Sequence, residues 1–257
     1  MKVLICRPLE EAGFVNGFST RVGGVSDFPN NALNLSGLDI DSAANLAENR
    51  RRFLDVLGGD FPIASAWQTH GANVKIVENL REVEDDGRKY DALISDLEKV
   101  LVGVKTADCV PILIGDPQTK AFAAIHAGWR GTAVSIVVRA TEKLREVYGV
   151  KTENLICAIG AAATGKNYEV GTDVIEIFTS NFADGAELFT ATRDGHALID
   201  LHRANKNQLE SVGIAPENIF TAPFCTMERT DLFFSYRVES RIYQKTGRLL
   251  SVIGLKN

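Results

Sequence analysis

Residues 101–131, LVGVKTADCVPILIGDPQTKAFAAIHAGWRG, hold two apolar runs on either side of Asp116-Pro117-Gln118-Thr119. Asp at the first and Pro at the second position suit a type I turn, so the two runs read as strands joined by a tight hairpin. Pairing Asp116 with Thr119 fixes the register. It sets Cys109 directly across from His126, on one face, with Cβ atoms about 5 Å apart. Pro111 has no amide to give to a ladder, which predicts an edge or bulged strand, and a slip of one residue would send the two side chains to opposite faces.

A thiolate and an imidazole at that separation suit one metal ion. Zinc bonds of about 2.0–2.3 Å leave room for a third ligand and one open position. Ordinary packing of a cysteine against a histidine fits the pairing too. The chain has four histidines. His70, in SAWQTHGANV, stands beside Gly71 between two strand signals, a turn from which a side chain can project into a cleft. His196 lies in a polar loop and His202 near the start of a capped helix, so His70 is the better third ligand. Asp108 could tune the thiolate or donate a proton; binding backbone amides in a turn is the alternative. In HAGWRG, Gly128 and Gly131 flank Trp129-Arg130 just before a helix, where Arg130 could grip a phosphate or else pair with a carboxylate.

The remaining sequence suits one compact domain over residues 1–257, 45% hydrophobic, with no linker, repeat or low-complexity segment. Strand signals fall at 12–20, 63–68, 74–77, 92–95, 100–105, 155–159, 218–222, 232–235 and 249–254. Asp41-Ser42 can cap a helix carrying Leu46, Phe53, Leu54 and Leu57, which Gly58-Gly59 stops. A second helix runs over 132–148 before Gly149. Thr172 caps a third, and Asp200 a fourth that ends near Gly213. Helices dispersed among hairpin-linked strands point to an α+β fold with a mixed sheet.

The N-terminus lacks the pattern of a signal peptide, and no apolar stretch reaches the roughly 18 residues of a membrane span. A cytoplasmic protein is expected, its four scattered cysteines being thiols rather than a disulfide framework. A net charge of −5 gives no reason to expect nucleic acid or an anionic membrane as partner. An anionic substrate would need a local basic site.

QTHG, KTADCVPIL and HAGWRG together resemble the YfiH family, also called laccase-domain or polyphenol-oxidase-like proteins and, in bacteria, peptidoglycan editing factors. GFSTRVGGVS with LNLS, then NRRRF, YEVG, FFSYR and TGRLLSVIGL are similar to family blocks in the same order, so the resemblance covers nearly the whole chain. It implies a four-layer mixed-sheet α/β/β/α sandwich related to the cytotoxic-necrotizing-factor deamidases. It also implies a zinc site, whose ligands fall on His70, Cys109 and His126. The implied activities are phosphorolysis of adenosine, inosine, guanosine and methylthioadenosine, and deamination of adenosine. Bacterial relatives add a cell-wall nucleotide precursor as a further partner.

Phosphorolysis asks for positive groups beside the metal, and Arg21, Arg50, Arg130 and Arg237 lie in blocks similar to the family's, with Arg21 and Arg130 the first choices. Asn34 and Gln68 would hydrogen-bond base or sugar, or else satisfy loop backbone. The chain departs from the family pattern at Ala161, where a Pro is common, and at Lys166-Asn167, where paired cysteines are common. Pocket shape and nucleoside preference depend on those positions.

Three other readings compete. A copper polyphenol oxidase is the weaker one, because four histidines cannot furnish a multicopper set. A cysteine hydrolase would use Cys109 as nucleophile and His126 as base. A non-catalytic editing factor would bind a uridine-linked sugar without turning over nucleosides. The H-x-E…P-C-x-x-C signature of the zinc base deaminases is absent.

Overall fold

A computed structural model describes residues 2–28, 31–37, 40–59, 61–79, 81 and 88–256. Continuous apolar strands need cover on both faces, and the chain provides it by stacking two sheets. The first runs β1 (Val3–Leu4), β2 (Phe14–Ser19), β15 (Leu249–Leu255), β7 (Leu101–Thr106) and β4 (Ile63–Ala64). The second runs β14 (Ile219–Thr221), β10 (Ile156–Ile159), β8 (Val110–Gly115), β9 (Phe122–Ala127), β6 (Ala92–Ser95) and β5 (Val74–Ile76). A small third sheet orders β11 (Glu169–Gly171), β13 (His196–Ile199) and β12 (Phe189–Arg193), and β3 (Val22–Ser26) stands outside all three. Parallel pairs β4/β7, β5/β6 and β10/β14 among antiparallel ladders make both large sheets mixed.

Seven α-helices lie among the described residues: α1 (Arg7–Glu11), α2 (Ala43–Leu57), α3 (Trp129–Ala133), α4 (Ile136–Tyr148), α5 (Thr172–Asn181), α6 (Leu201–Ser211) and α7 (Tyr236–Tyr243). Alternation along the strands sorts side chains into separate cores. Ile112 and Ile114 of β8 pack with Ile136, Leu144 and Leu209 of α4 and α6. Leu113, between them, packs with Phe14, Phe122 and Ile253 in the space between the sheets. On the far side, Phe53 and Leu54 of α2 cover Leu101, Leu250 and Val252. Helix, sheet, sheet, helix is the expected α/β/β/α sandwich.

The hairpin turn is longer than a four-residue turn. Asp116 N donates to Ala121 O, Lys120 N donates to Asp116 O, and Lys120 takes a left-handed φ of 67°. The Asp116 carboxylate accepts from Gln118 N and the Thr119 hydroxyl, which closes the loop. His126 therefore faces Pro111 and not Cys109. The shift is two residues, so parity survives and Cys109 remains a diagonal neighbour of His126. Nor is β8 an edge strand: it lies between β10 and β9. Pro111 is tolerated because its carbonyl accepts from Gly160 N, just past the end of β10, so its missing amide faces a ladder that has already stopped.

Other expectations are corrected as well. Residues 232–235 form no strand, and the helix expected over 132–148 starts at Trp129 and breaks before Ser135, which has φ 58°. Gly171 and not Thr172 caps α5; the Thr172 hydroxyl donates to Gly195 O instead. Ser42 and Asp200 do cap α2 and α6, accepting from Asn45 N and Arg203 N.

Phe14 joins the two sheets. Its ring meets Phe122 edge-on at 6.4 Å and lies over Gly115, where a Cβ would come within 2.7 Å of it. Phe14→Ala should cost about 3–5 kcal/mol of stability in urea unfolding, whereas a loss below about 1 kcal/mol would show that the inter-sheet space collapses freely around the cavity.

Candidate metal centre

At one end of the inter-sheet space, the donor atoms of His70, Cys109 and His126 all lie within 4.8 Å of one another, the one such three-donor group found among the described residues. His126 projects from β9, Cys109 immediately precedes β8, and His70 occupies the turn between β4 and β5. Two residues here have positive φ without being glycine: His70 at 63° and Asp108 at 89°. Such conformations cost about 1–3 kcal/mol each and persist only where the surroundings fix them.

Carboxylates do the fixing. Asp91, buried at the entry to β6, accepts from His70 N at 2.8 Å, Gly71 N at 2.7 Å and Thr69 N at 3.3 Å, which holds the His70 turn. The same carboxylate lies 2.8 Å from His126 Nδ1, leaving Nε2 as the nitrogen free to bind a metal. This is the carboxylate–histidine arrangement that orients imidazole ligands. The Asp108 carboxylate accepts from the Thr226 hydroxyl at 2.7 Å, the Ser235 hydroxyl at 3.0 Å and Arg237 N at 2.6 Å. That ties the start of α7 to the segment that carries Cys109 into β8. Gly128 completes the packing, since a Cβ there would lie 2.7 Å from His70 Cδ2 and 3.0 Å from Cys109 Sγ.

The charges are mutually dependent. Burial would raise the Cys109 thiol, but the imidazoles of His126 and His70 bring it below its ordinary value. Burial would lower His126, but Cys109 and Asp91 outweigh it and raise the ring. Asp91 is held below the usual carboxylate value, because His126 and the backbone amides overcome its burial. Asp108 is pushed up by burial, against its three donors. A thiolate, two imidazoles and a carboxylate behind one of them suit a divalent ion with one position open to the cavity.

The cavity beside the cluster has a volume of about 1080 Å³. Arg50, Gln68, Asp108, Arg130 and Arg237 line it, as do Lys105 and Arg248, which sequence reasoning did not single out. Arg130 rests its guanidinium 4.2 Å from the Trp129 ring and Arg237 rests 4.6 Å from Tyr168. Gln68 commits its amide to the Lys105 backbone, accepting from N at 2.8 Å and donating to O at 2.7 Å. Arg21 is not in this wall: it pairs with Glu239 at 2.9 Å and donates to Thr230 O, in a separate depression. Asn34 is fully buried, bonded to Asp41 and to Arg248 N. His196 and His202 bond to the carbonyls of Asp194 and Gly160, away from the cluster.

Asp91, which holds two of the three donors in place, is the residue of this site that sequence reasoning missed. Its only signal is an acid directly before a strand, in KYDALIS.

A laccase-like sandwich with a His-Cys-His centre is the class that this fold and site define. Residues 15–256 match the family described as multi-copper polyphenol oxidoreductase laccase. The purine nucleoside phosphorylase of Deinococcus radiodurans is 36% identical over 243 residues, 93% of this chain and 88% of that one. The purine nucleoside phosphorylase YlmD of Staphylococcus aureus is 34% identical, over 98% of this chain and 95% of its own. Among solved structures, the hypothetical protein YfiH of Bacillus licheniformis superposes with a TM-score of 0.91 at 28% identity, covering 99% of this chain and 96% of that one. YlmD of Geobacillus stearothermophilus gives 0.90 at 29%, covering 100% and 97%. The chain belongs to the laccase-like YfiH family.

Asp91→Asn keeps the size of the side chain but removes the charge that holds His126 and the His70 turn. It should weaken zinc binding about 10–100-fold in competition with a chromophoric chelator, and an unchanged affinity would show that the histidines are oriented without it.

Proposed function

We propose that the chain is a zinc-dependent purine nucleoside phosphorylase acting on adenosine, inosine, guanosine and methylthioadenosine, with adenosine deamination as a side activity. The observation that carries the reading is the open His70–Cys109–His126 cluster in a cavity bordered by four arginines. Two relatives named purine nucleoside phosphorylase, at 34–36% identity over nearly the whole chain, support it. His70, Cys109 and His126 Nε2 would hold the ion, which when bound supplies Lewis acidity and a means of activating water.

The chain's own residues account for the rest. Arg50 and Arg130 make no ion pair among the described residues, so both are free to meet a phosphate. Arg130 is held by stacking on Trp129; Arg237 is held by stacking on Tyr168 and by donating from Nη1 to Glu169 O at 2.9 Å, with the Asp108 charge nearby. Fixed positive groups of this kind stabilise phosphate and the charge that develops on a departing purine. Asp108, the one acid among the described residues that line the cavity, has its oxygens occupied by three donors, and we read it as the support of Arg237 more than as a proton donor. All four cysteines are free thiols, which fits a reducing compartment, and we place the protein in the cytoplasm. No helix among the described residues is long and apolar enough to cross a membrane.

A second reading has one specific support. The contact between Cys109 and His126 is also what a cysteine hydrolase would use. Zinc bound through Cys109 would occupy that thiolate and remove it as a nucleophile.

The test is base release from adenosine, inosine and guanosine by zinc-loaded protein, with and without phosphate, beside Cys109→Ala. Phosphate-dependent release that falls at least about 100-fold in the variant is expected. No turnover of any nucleoside by the loaded protein would sink the proposal.

A further inference from the structure

Four aromatic side chains line the cavity: Trp67, Trp129, Tyr168 and Tyr236. Two of their rings are already covered by the guanidinium groups of Arg130 and Arg237. Trp67 and Tyr236 are the bare ones, 62% and 57% exposed, and among the described residues no ring or cation stacks on either. A large apolar ring left in water at the rim of a cavity is an unspent binding surface.

Trp67 is the more firmly placed of the two. Its carbonyl accepts from Tyr90 N at 3.1 Å. The next residue, Gln68, is locked to the Lys105 backbone by two hydrogen bonds, at 2.7 and 2.8 Å. The amides of Thr69, His70 and Gly71 are then held by Asp91. The indole is thus exposed while the backbone that carries it is anchored from its own carbonyl onward, so no backbone ordering is needed there when a ligand arrives. Only Gln68 and Thr69 lie between it and His70, so the two Cα atoms are at most roughly 11 Å apart, comparable to the length of a nucleoside.

We propose that Trp67 is the platform on which the purine base of the substrate stacks, with the sugar directed toward the metal cluster and the arginines. The proposal rests on the nucleoside reading above and names the residue that recognises the base. Stacking uses the π-face common to all purines, so such a platform accepts adenine, hypoxanthine and guanine alike. Discrimination among them falls to other groups.

The chain has two tryptophans, both in the cavity wall, so intrinsic fluorescence reports on the site directly. The test compares zinc-loaded wild type, Trp67→Ala and Trp67→Phe, with adenosine and inosine as probes. Adenosine should quench the wild-type emission. Trp67→Ala should raise KM for both nucleosides about 10-fold with kcat and zinc content unchanged, and Trp67→Phe should return KM to within about 3-fold while losing most of the quench. An unchanged KM in Trp67→Ala overturns the platform and leaves phosphorolysis standing. If adenosine binds without turnover, phosphorolysis fails, and equilibrium dialysis decides the platform: weaker binding to Trp67→Ala supports it and equal binding overturns it. Neither binding nor turnover by the wild type overturns both.

Discussion

One carboxylate anchors two histidines that the chain supplies from different places. Asp91 receives the amides of residues 69–71 on one side and the His126 ring on the other. Without that acceptor, three backbone amides and the buried His126 ring nitrogen would lose their partner together, and the buried ring nitrogen alone would cost on the order of 1–3 kcal/mol. The backbone of Asp91 adds to the link, because its carbonyl accepts from His126 N at 2.7 Å as β6 joins β9. Ligand geometry is therefore set by the sheet, and the left-handed His70 turn is held to the sheet rather than left to the loop.

Asp108 has the complementary role on the opposite side of the cluster. It is the residue before Cys109, has a positive φ, and gathers donors from Thr226, Ser235 and Arg237. The segment that brings Tyr236 and Arg237 to the cavity is thereby tied to the stretch just before β8 that carries the thiolate. Between them, two buried acids connect four separate stretches of chain at one end of the sandwich. The family description refers to several copper ions, but the donors gathered here are two imidazoles and one thiolate, with the remaining histidines turned to carbonyls.

The gathering of Cys109 and His126 was legible in the sequence because strand parity is robust. A turn two residues longer than the sequence suggests shifts Cys109 along the strand direction, yet leaves it on the same side as His126. An error of one residue would have lost the pair. Helix ends marked by Ser42, Asp200, Gly58 and Gly149 were legible for a similar local reason. Asp91 was not, since its partners come from 20 residues upstream and 35 downstream, and nothing near it signals a clamp. Arg21 shows the reverse limit. Its motif marks it as basic and available, but Glu239 of α7 takes it up, and α7 lies where a strand was expected to end.

Zinc-edge X-ray absorption on freshly purified protein, with elemental analysis of the same sample, tests the central claim most directly. One zinc per chain, coordinated by one sulfur and two imidazole nitrogens and lost in Cys109→Ala, is the expected result. A protein that binds no metal, or that binds zinc without a sulfur ligand, would contradict it.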